Sequence, residues 1–339
     1  MSHFYAHIHH DRLREVLRRL PKETILEWRP LEAEAAVTPE PVPYAERTKL
    51  AYRPIREGET WGKAWDCAWF RLRGRVPAEW AGACVTLRLD VGGEALLFDR
   101  DGCPLVGLTN GSVFDGHYNK DTVHLFPSGC KGGEDLDLWL DAGSNGLFGV
   151  TRFGDPSRLE DPADLHGRHN ACVAALRVCR FDADRWQLWL DLQVLENLES
   201  ALPENSARRL QILRVCSAAL DLLPAQGAAA CRRALRPLFE LGTDPATVDV
   251  YGVGHAHIDT GWLWPVRETI RKCGRTFASQ IGLIERYPGY VFGASQAQLY
   301  AFTKQHYPAL YAKIRRAVAQ GAWEVQGGKI GRASCRERV

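Results

Sequence analysis

His255, His257 and Asp259 occupy alternate positions in VDVYGVGHAHIDTGWLWP, the stretch from Val248 to Pro265. Imidazole nitrogen and carboxylate oxygen are donors that Zn²⁺, Co²⁺ and similar ions accept, and a catalytic centre takes about three protein ligands and leaves a position open. If Val250 to Asp259 is extended, the three side chains leave the backbone on one face, because strand side chains alternate. The stretch then supplies two or three donors, and at least one more must come from elsewhere. The spacing alone is equally that of a polar strand end. Trp262 and Trp264 tilt the reading toward a site, since flat apolar faces beside polar groups suit a sugar ring, although the default place of a tryptophan is the core.

Such a corner must be carried by regular elements. Val266, Ile270, Phe277, Ile281 and Ile284 recur at helical spacing up to Tyr287-Pro288-Gly289, which predicts an amphipathic helix. Tyr290 to Ala294 is a short β-prone run, Gln298 to Val318 is helical with an interruption near Pro308, and Trp323 to Gln326 reads as another strand. Strand, helix, strand, helix, strand implies parallel pairing through right-handed crossovers. Residues 246–328 are therefore expected to begin an α/β, barrel-like catalytic domain with its site at the carboxyl ends of the strands.

Upstream the chain reads as further domains, so the expected fold class is multidomain. Asp11 to Leu20 is one helix, with Leu13, Val16, Leu17 and Leu20 at helical spacing and Pro21 as its stop. His3, His7, His9 and His10 before it read as solvated rather than metal-binding. Pro39, Pro41 and Pro43 predict an extended strap, completing a helical and extended segment over residues 1–54. Residues 55–195 are expected to form an antiparallel β-sandwich. Its strands are Ala68 to Val76, Cys84 to Val91, Ala95 to Asp99, Leu136 to Leu140 and Cys172 to Phe181, with turns at Gly92-Gly93, Asp99 to Gly102 and Asn110-Gly111. Its tryptophans (Trp61, Trp65, Trp69, Trp80, Trp139) read as core before carbohydrate contacts. Residues 196–245 read as a helical connector, Ala207 to Leu223 and Ala228 to Leu241, the second broken or shifted at Pro237. Gly242-Thr243-Asp244-Pro245 punctuates the chain as a boundary would.

Composition narrows the partners. The 339 residues are 45% apolar and 25% charged, the balance of an ordinary soluble globular chain of roughly two domains. With 43 basic against 41 acidic residues, bulk charge predicts neither nucleic acid nor membrane as partner. No apolar run reaches the roughly 18 residues that span a bilayer, and the amino terminus lacks a signal core. The ten cysteines are dispersed without a C-x-x-C pair, which reads as reduced thiols in a cytoplasmic protein. No pattern encodes oligomeric state, and a homo-oligomer stays open.

HAHIDTGWLWP, followed by Arg275-Thr276-Phe277, Ser295-Gln296, Tyr300 and Gly321-Ala322-Trp323-Glu324, resembles the opening of the catalytic domain of glycoside hydrolase family 38, the α-mannosidases, in the branch that includes cytosolic enzymes. The likeness runs from about Val248 to Gly328, and a weaker one includes Trp61-Gly62-Lys63, Trp69-Phe70 and Gly92 to Leu96. The resemblance implies a retaining enzyme that hydrolyses terminal α-mannosides of oligosaccharides, in which one divalent ion, zinc or cobalt, binds the ring hydroxyls of mannose while an aspartate attacks the anomeric carbon. Carried over by position, His257 and Asp259 are metal ligands and Trp262 is the platform for the sugar. His255 aligns with a histidine that supports the site without binding the ion. The resemblance also implies that domains ahead of the barrel are structural and aid assembly.

The likeness fails at the end. In the family, Trp-Glu-x-x-Gly-Gly leads into a segment whose aspartate is nucleophile and third metal ligand; here Gly327-Gly328 is followed by Lys329 to Val339, and no aspartate follows Asp259. The expectation is an amino-terminal fragment, inactive by itself, whose last eleven residues resemble a translated sequencing adapter. Two rival readings stand. A metal-dependent amidohydrolase also places His-x-His on a first barrel strand, but without the paired tryptophans. A non-catalytic carbohydrate-binding protein would use the tryptophan-rich sandwich.

Overall fold

Alternation along the strands dictates the amino-terminal architecture of the computed structural model, which describes residues 6–109, 120–145, 171–240, 250–262 and 264–326. His3, the Asn110-Gly111 turn, the Gly242 to Pro245 boundary, Val248 and everything from Gly327 onward lie outside these. The strands, in chain order, are β1 (Ile25–Pro30), β2 (Glu32–Thr38), β3 (Arg53–Pro54), β4 (Thr60–Trp61), β5 (Cys67–Arg75), β6 (Cys84–Asp90), β7 (Glu94–Phe98), β8 (Pro104–Leu108), β9 (Thr122–Phe126), β10 (Asp135–Gly143), β11 (Ala171–Cys172) and β12 (Ala175–Phe181). They form a four-stranded sheet in the order β1-β12-β6-β9 and a six-stranded sheet in the order β3-β2-β5-β10-β7-β8, with β4 and β11 as a separate pair. All these pairings are antiparallel. Between the sheets, Phe70, Leu72, Leu87, Leu89, Leu97, Leu140 and Val178 make one core with Trp61 and Trp80.

Two limits of this unit differ from the sequence expectation. Strands β1, β2 and β3 fall within residues 1–54, expected to be helical and extended, yet β1 pairs with β12 and β2 with β5. The inward residues of β2 are Ala33 and Ala35, too small to stand out as an apolar alternation until a large partner such as Phe70 covers them. At the other end the helices begin at Ala183 instead of 196, where Asp182 caps the first turn by accepting the N–H of Arg185.

Helices α1 (Ala6–Arg19), α2 (Ala183–Ala201), α3 (Ala207–Asp221) and α4 (Leu223–Glu240) pack into one layer through Leu13, Leu20, Leu188, Leu192, Ile212, Cys216 and Leu235. The first helix thus completes the connector and is no separate extension. The reading of its histidines as solvated is corrected for two of them: His9 Nδ1 lies 2.9 Å from Ser217 Oγ, and His10 Nδ1 lies 2.8 Å from the buried carboxylate of Glu199. Pro237 does not break α4. The non-helical residue is Gly227, and the helix continues past the proline to Glu240.

The carboxyl-terminal unit alternates as expected: β13 (Gly254–His255), α5 (Val266–Arg286), β14 (Phe292–Ala294), α6 (Ala297–His306), α7 (Pro308–Ala319) and β15 (Trp323–Val325). The three strands pair in parallel in that order. This unit sits on the outer face of the six-stranded sheet, because the sheet's strands bury both sets of alternate side chains. Residues Ala68, Phe70, Ala95, Leu97 and Leu140 point into the sandwich, while Trp69, Leu96, Phe98 and Trp139 join a second core with Cys273, Phe277, Ile281, Phe292 and Trp323. Trp61, Trp69, Trp80 and Trp139 are buried, as core tryptophans should be, but Trp65 is only half-buried, so the core reading is corrected for it.

Candidate functional site

The corner that carries His255, His257 and Asp259 is less regular than a strand from Val250 to Asp259. Only Gly254 and His255 pair with a neighbour, against Phe292 and Gly293 of β14. Val250, Tyr251 and Val253 are exposed, so no apolar face anchors the start of the run. A Cβ at Gly254 would stand 2.1 Å from the Tyr290 hydroxyl, so a larger residue there would have to push that ring aside.

The three candidate donors separate into two roles. His255 Nδ1 lies 2.9 Å from the Gly293 carbonyl, so that ring nitrogen donates across the sheet and is committed to orienting the ring. His257 Nε2 and Asp259 Oδ1 approach to 3.1 Å. Two donors, each about 2.1 Å from one ion, stand roughly 3.0 to 3.4 Å apart between octahedral and tetrahedral angles, so this pair fits two adjacent positions on a divalent ion. The donor types suit zinc or cobalt. Among the described residues no group of three or more metal-ligating side chains forms.

A single hydroxyl holds the loop that carries Asp259 and Trp262. Thr269, wholly buried in the first turn of α5, donates to the Asp259 carbonyl at 3.3 Å and accepts the Gly261 N–H at 3.2 Å and the Trp264 indole N–H at 3.0 Å. One hydroxyl has one proton and two lone pairs, and all three are used. Gly261 turns the loop with φ +87°, a left-handed value that an L side chain disfavours. Trp264 is buried at 7% exposure while Trp262 stands out at 47%, its ring 5.5 Å from that of Trp264 and nearly perpendicular to it. Beyond β14, Gln296 takes φ +74°, and its buried Oε1 has no hydrogen-bond partner, a local strain of the kind that collects at functional sites.

Beneath the loop, α5 is locked to the sandwich by buried charge. Arg271 makes a two-pronged contact to Asp141 of β10, at 3.1 and 2.6 Å, and pairs with Glu268 at 2.5 Å. Glu94 of β7 accepts from Lys272 at 2.6 Å, Asn145 at 2.8 Å and Arg275 at 3.1 Å. Burial alone would raise the Glu94 carboxyl, but Arg275 and Lys272 beside it bring it down to about 2. Burial opposes the charge of Glu268 too, and Arg271 and Arg275 overcome it, leaving this carboxyl below its ordinary range. Thr269 and this network escaped the sequence reading, which followed the apolar stripe. Thr269 had one usable signal, its place in the first helical turn four residues after Pro265.

Comparison with known proteins covers both units. Residues 29–171 match the family described as Alpha-mannosidase, jelly roll domain, and residues 247–333 match Glycosyl hydrolases family 38 N-terminal domain. Alpha-mannosidase 2C1 of Homo sapiens is 31% identical over 86% of this chain and 27% of its own length. Alpha-mannosidase G of Dictyostelium discoideum is 29% identical over 85% of this chain and 26% of its own. The chain thus spans about a quarter of the length of these relatives. A β-glucuronidase from Ruminococcus gnavus solved with C6-substituted uronic isofagomine overlays 48% of this chain and 30% of its own at 10% identity and a TM-score of 0.32, too low to bear on fold or function.

Proposed function

The chain belongs to glycoside hydrolase family 38, and on that premise we propose that it supplies part of the metal and sugar site of a retaining α-mannosidase acting on terminal α-mannosides of oligosaccharides. The observation that carries this reading is the 3.1 Å approach of His257 Nε2 and Asp259 Oδ1 beside the exposed ring of Trp262. His257 and Asp259 would hold one divalent ion, zinc or cobalt. When bound, that ion supplies a hold on sugar hydroxyls that favours distortion toward an oxocarbenium-like state. Trp262 offers its face to the apolar side of the sugar ring and so orients the sugar above the donors. His255 buttresses the corner through the Gly293 carbonyl.

Retaining hydrolysis needs two carboxyl groups, a nucleophile and an acid/base. Asp259 is the last aspartate of the sequence and is assigned to the ion. Because the chain spans about a quarter of the length of its relatives, the proposal gives catalysis to a longer polypeptide, with β13, β14 and β15 as the first strands of its barrel, and holds the 339 residues inactive by themselves. It places the protein in the cytoplasm, supported by cysteines spaced without a disulfide framework.

The test is release of p-nitrophenol from its α-mannoside by the full-length product, lost with a chelator and restored by zinc or cobalt. Chelator-sensitive cleavage of an amide with no action on the mannoside would favour an amidohydrolase instead. For the chain itself, calorimetric titration with Zn²⁺ is expected to report one weak site, weakened further by at least about tenfold in His257→Ala or Asp259→Asn.

A further inference from the structure

Gln296 stands just past the carboxyl end of β14 with an amide oxygen that the described residues leave unsatisfied. The residue is 4% exposed, and among the described residues no hydrogen-bond partner reaches its Oε1. Its backbone takes φ +74° and ψ 92° where it caps α6, and its side chain makes no capping hydrogen bond to that helix. A left-handed φ disfavours glutamine, and a buried amide oxygen without a donor costs stability. Both costs fall on one residue, and a donor brought by a ligand would offset the second. Register places the residue beside the donor pair. In the parallel pairing of β13 with β14, His255 is level with Gly293. Both chains run on in the same direction, so His257 and Asp259 lie two and four residues past that level and Gln296 three past it. The hydroxyl oxygen of Thr260, next to Asp259, is likewise buried with no hydrogen-bond partner among the described residues. Unsatisfied polar atoms thus follow the carboxyl ends of two adjacent strands, the end at which parallel sheets take their ligands. We propose that Gln296 is a specificity-determining residue of the sugar site, its amide oxygen accepting the hydrogen bond of one mannose hydroxyl.

This role presupposes the α-mannoside reading above and adds to it the group that checks one hydroxyl. A carboxamide oxygen accepts and does not donate, and a sugar hydroxyl is a donor of matching kind. A neutral amide oxygen is a poorer match for zinc than the imidazole and carboxylate of His257 and Asp259, so the ion has better ligands close by. Selectivity follows from the burial of the acceptor. A substrate without the hydroxyl leaves Oε1 unsatisfied, and a site built to bond a hydroxyl rejects the analogue that lacks it far more strongly than an apolar pocket rejects a missing methylene.

The test uses the full-length product with p-nitrophenyl α-mannoside and its 2-, 3-, 4- and 6-deoxy analogues. Gln296→Met keeps the length of the side chain and removes the amide, and is expected to lower kcat/KM on the parent mannoside by about 10- to 100-fold. On the analogue that lacks the hydroxyl held by Gln296, native and variant enzymes are expected to agree within about twofold, while on the other analogues the full loss persists. Zn²⁺ affinity by calorimetry is expected to be unchanged in the variant, which separates a sugar contact from support of the ion. If Gln296→Met does not fold, Gln296→Asn carries the test, because asparagine accepts a positive φ and withdraws the amide by one methylene. An equal loss on every substrate would overturn the proposal and assign the amide oxygen to a buried water or to folding. No loss on the parent mannoside would overturn it too, as would a loss of Zn²⁺ affinity that accounts for the whole loss of activity. A native enzyme without action on the parent mannoside would remove the α-mannoside reading, and this role with it, and is measured before any variant.

Discussion

At the scale of residues, the site divides into groups that could carry chemistry and groups that hold them. His257, Asp259 and Trp262 belong to the first kind and were legible, because donor type and ring type are written in the side chain itself. Thr269 belongs to the second, and nothing in a lone threonine announces it. Its hydroxyl satisfies the Gly261 and Trp264 N–H groups and reaches the Asp259 carbonyl. Thr269→Val keeps the shape and removes the oxygen, so two donors lose their acceptor. The expected loss is about 1–3 kcal/mol in urea unfolding, with weaker Zn²⁺ binding by calorimetry as the loop loosens. Thr269→Ser retains the hydroxyl and is expected to retain most of both.

At the scale of elements, α5 decides where the corner sits. Its apolar residues Phe277 and Ile281 were legible from periodicity and do pack against the sheet. Its charged residues Glu268, Arg271 and Arg275 gave no such periodic signal, yet they are buried. A charged residue looks the same in sequence whether its partner is water or a carboxylate on a strand more than a hundred positions away. Removing one member of a buried pair leaves the other uncompensated, so Asp141→Asn is expected to cost about 3–5 kcal/mol in urea unfolding. The acid dependence has a defined sign. Glu94 stands at about 2 in the folded protein against an ordinary 4.5, so its stabilisation is fully present above pH 4.5 and is lost as pH falls toward 2. Unfolding midpoints taken at descending pH should show the gap between the native chain and Glu94→Gln narrowing over that window and staying constant above it.

At the scale of the whole molecule, the described residues form three apolar cores joined in sequence-distant ways: the sandwich interior, the face it shares with the α/β unit, and the helical layer. Among the described residues the parallel sheet has three strands, with β13 at one edge and β15 at the other, and nearby apolar side chains are exposed. Val250 is 90% exposed, Tyr251 86%, Val253 56% and Val325 50%. Parallel strands are normally covered on both faces, and open apolar edges invite association. The chain is therefore expected to associate as concentration rises in sedimentation velocity. The double substitution Tyr251→Lys with Val253→Lys should move it toward the monomer without lowering its urea midpoint.

The sequence by itself determined the family, the donor pair His257 and Asp259 as candidates, and the order of strands and helices from Val266 to Trp323, because each depends on side-chain chemistry or on periodicity within a few residues. It also marked most sandwich strands, where alternation is strong. Only the tertiary structure decided that β1 and β2 complete the sandwich, that α1 completes the helical layer, and that α5 is keyed to β7 and β10 through buried charge. Those facts depend on pairs far apart in the chain. A small alanine strand, a polar histidine or a charged helix face takes its meaning from the partner that folding brings to it.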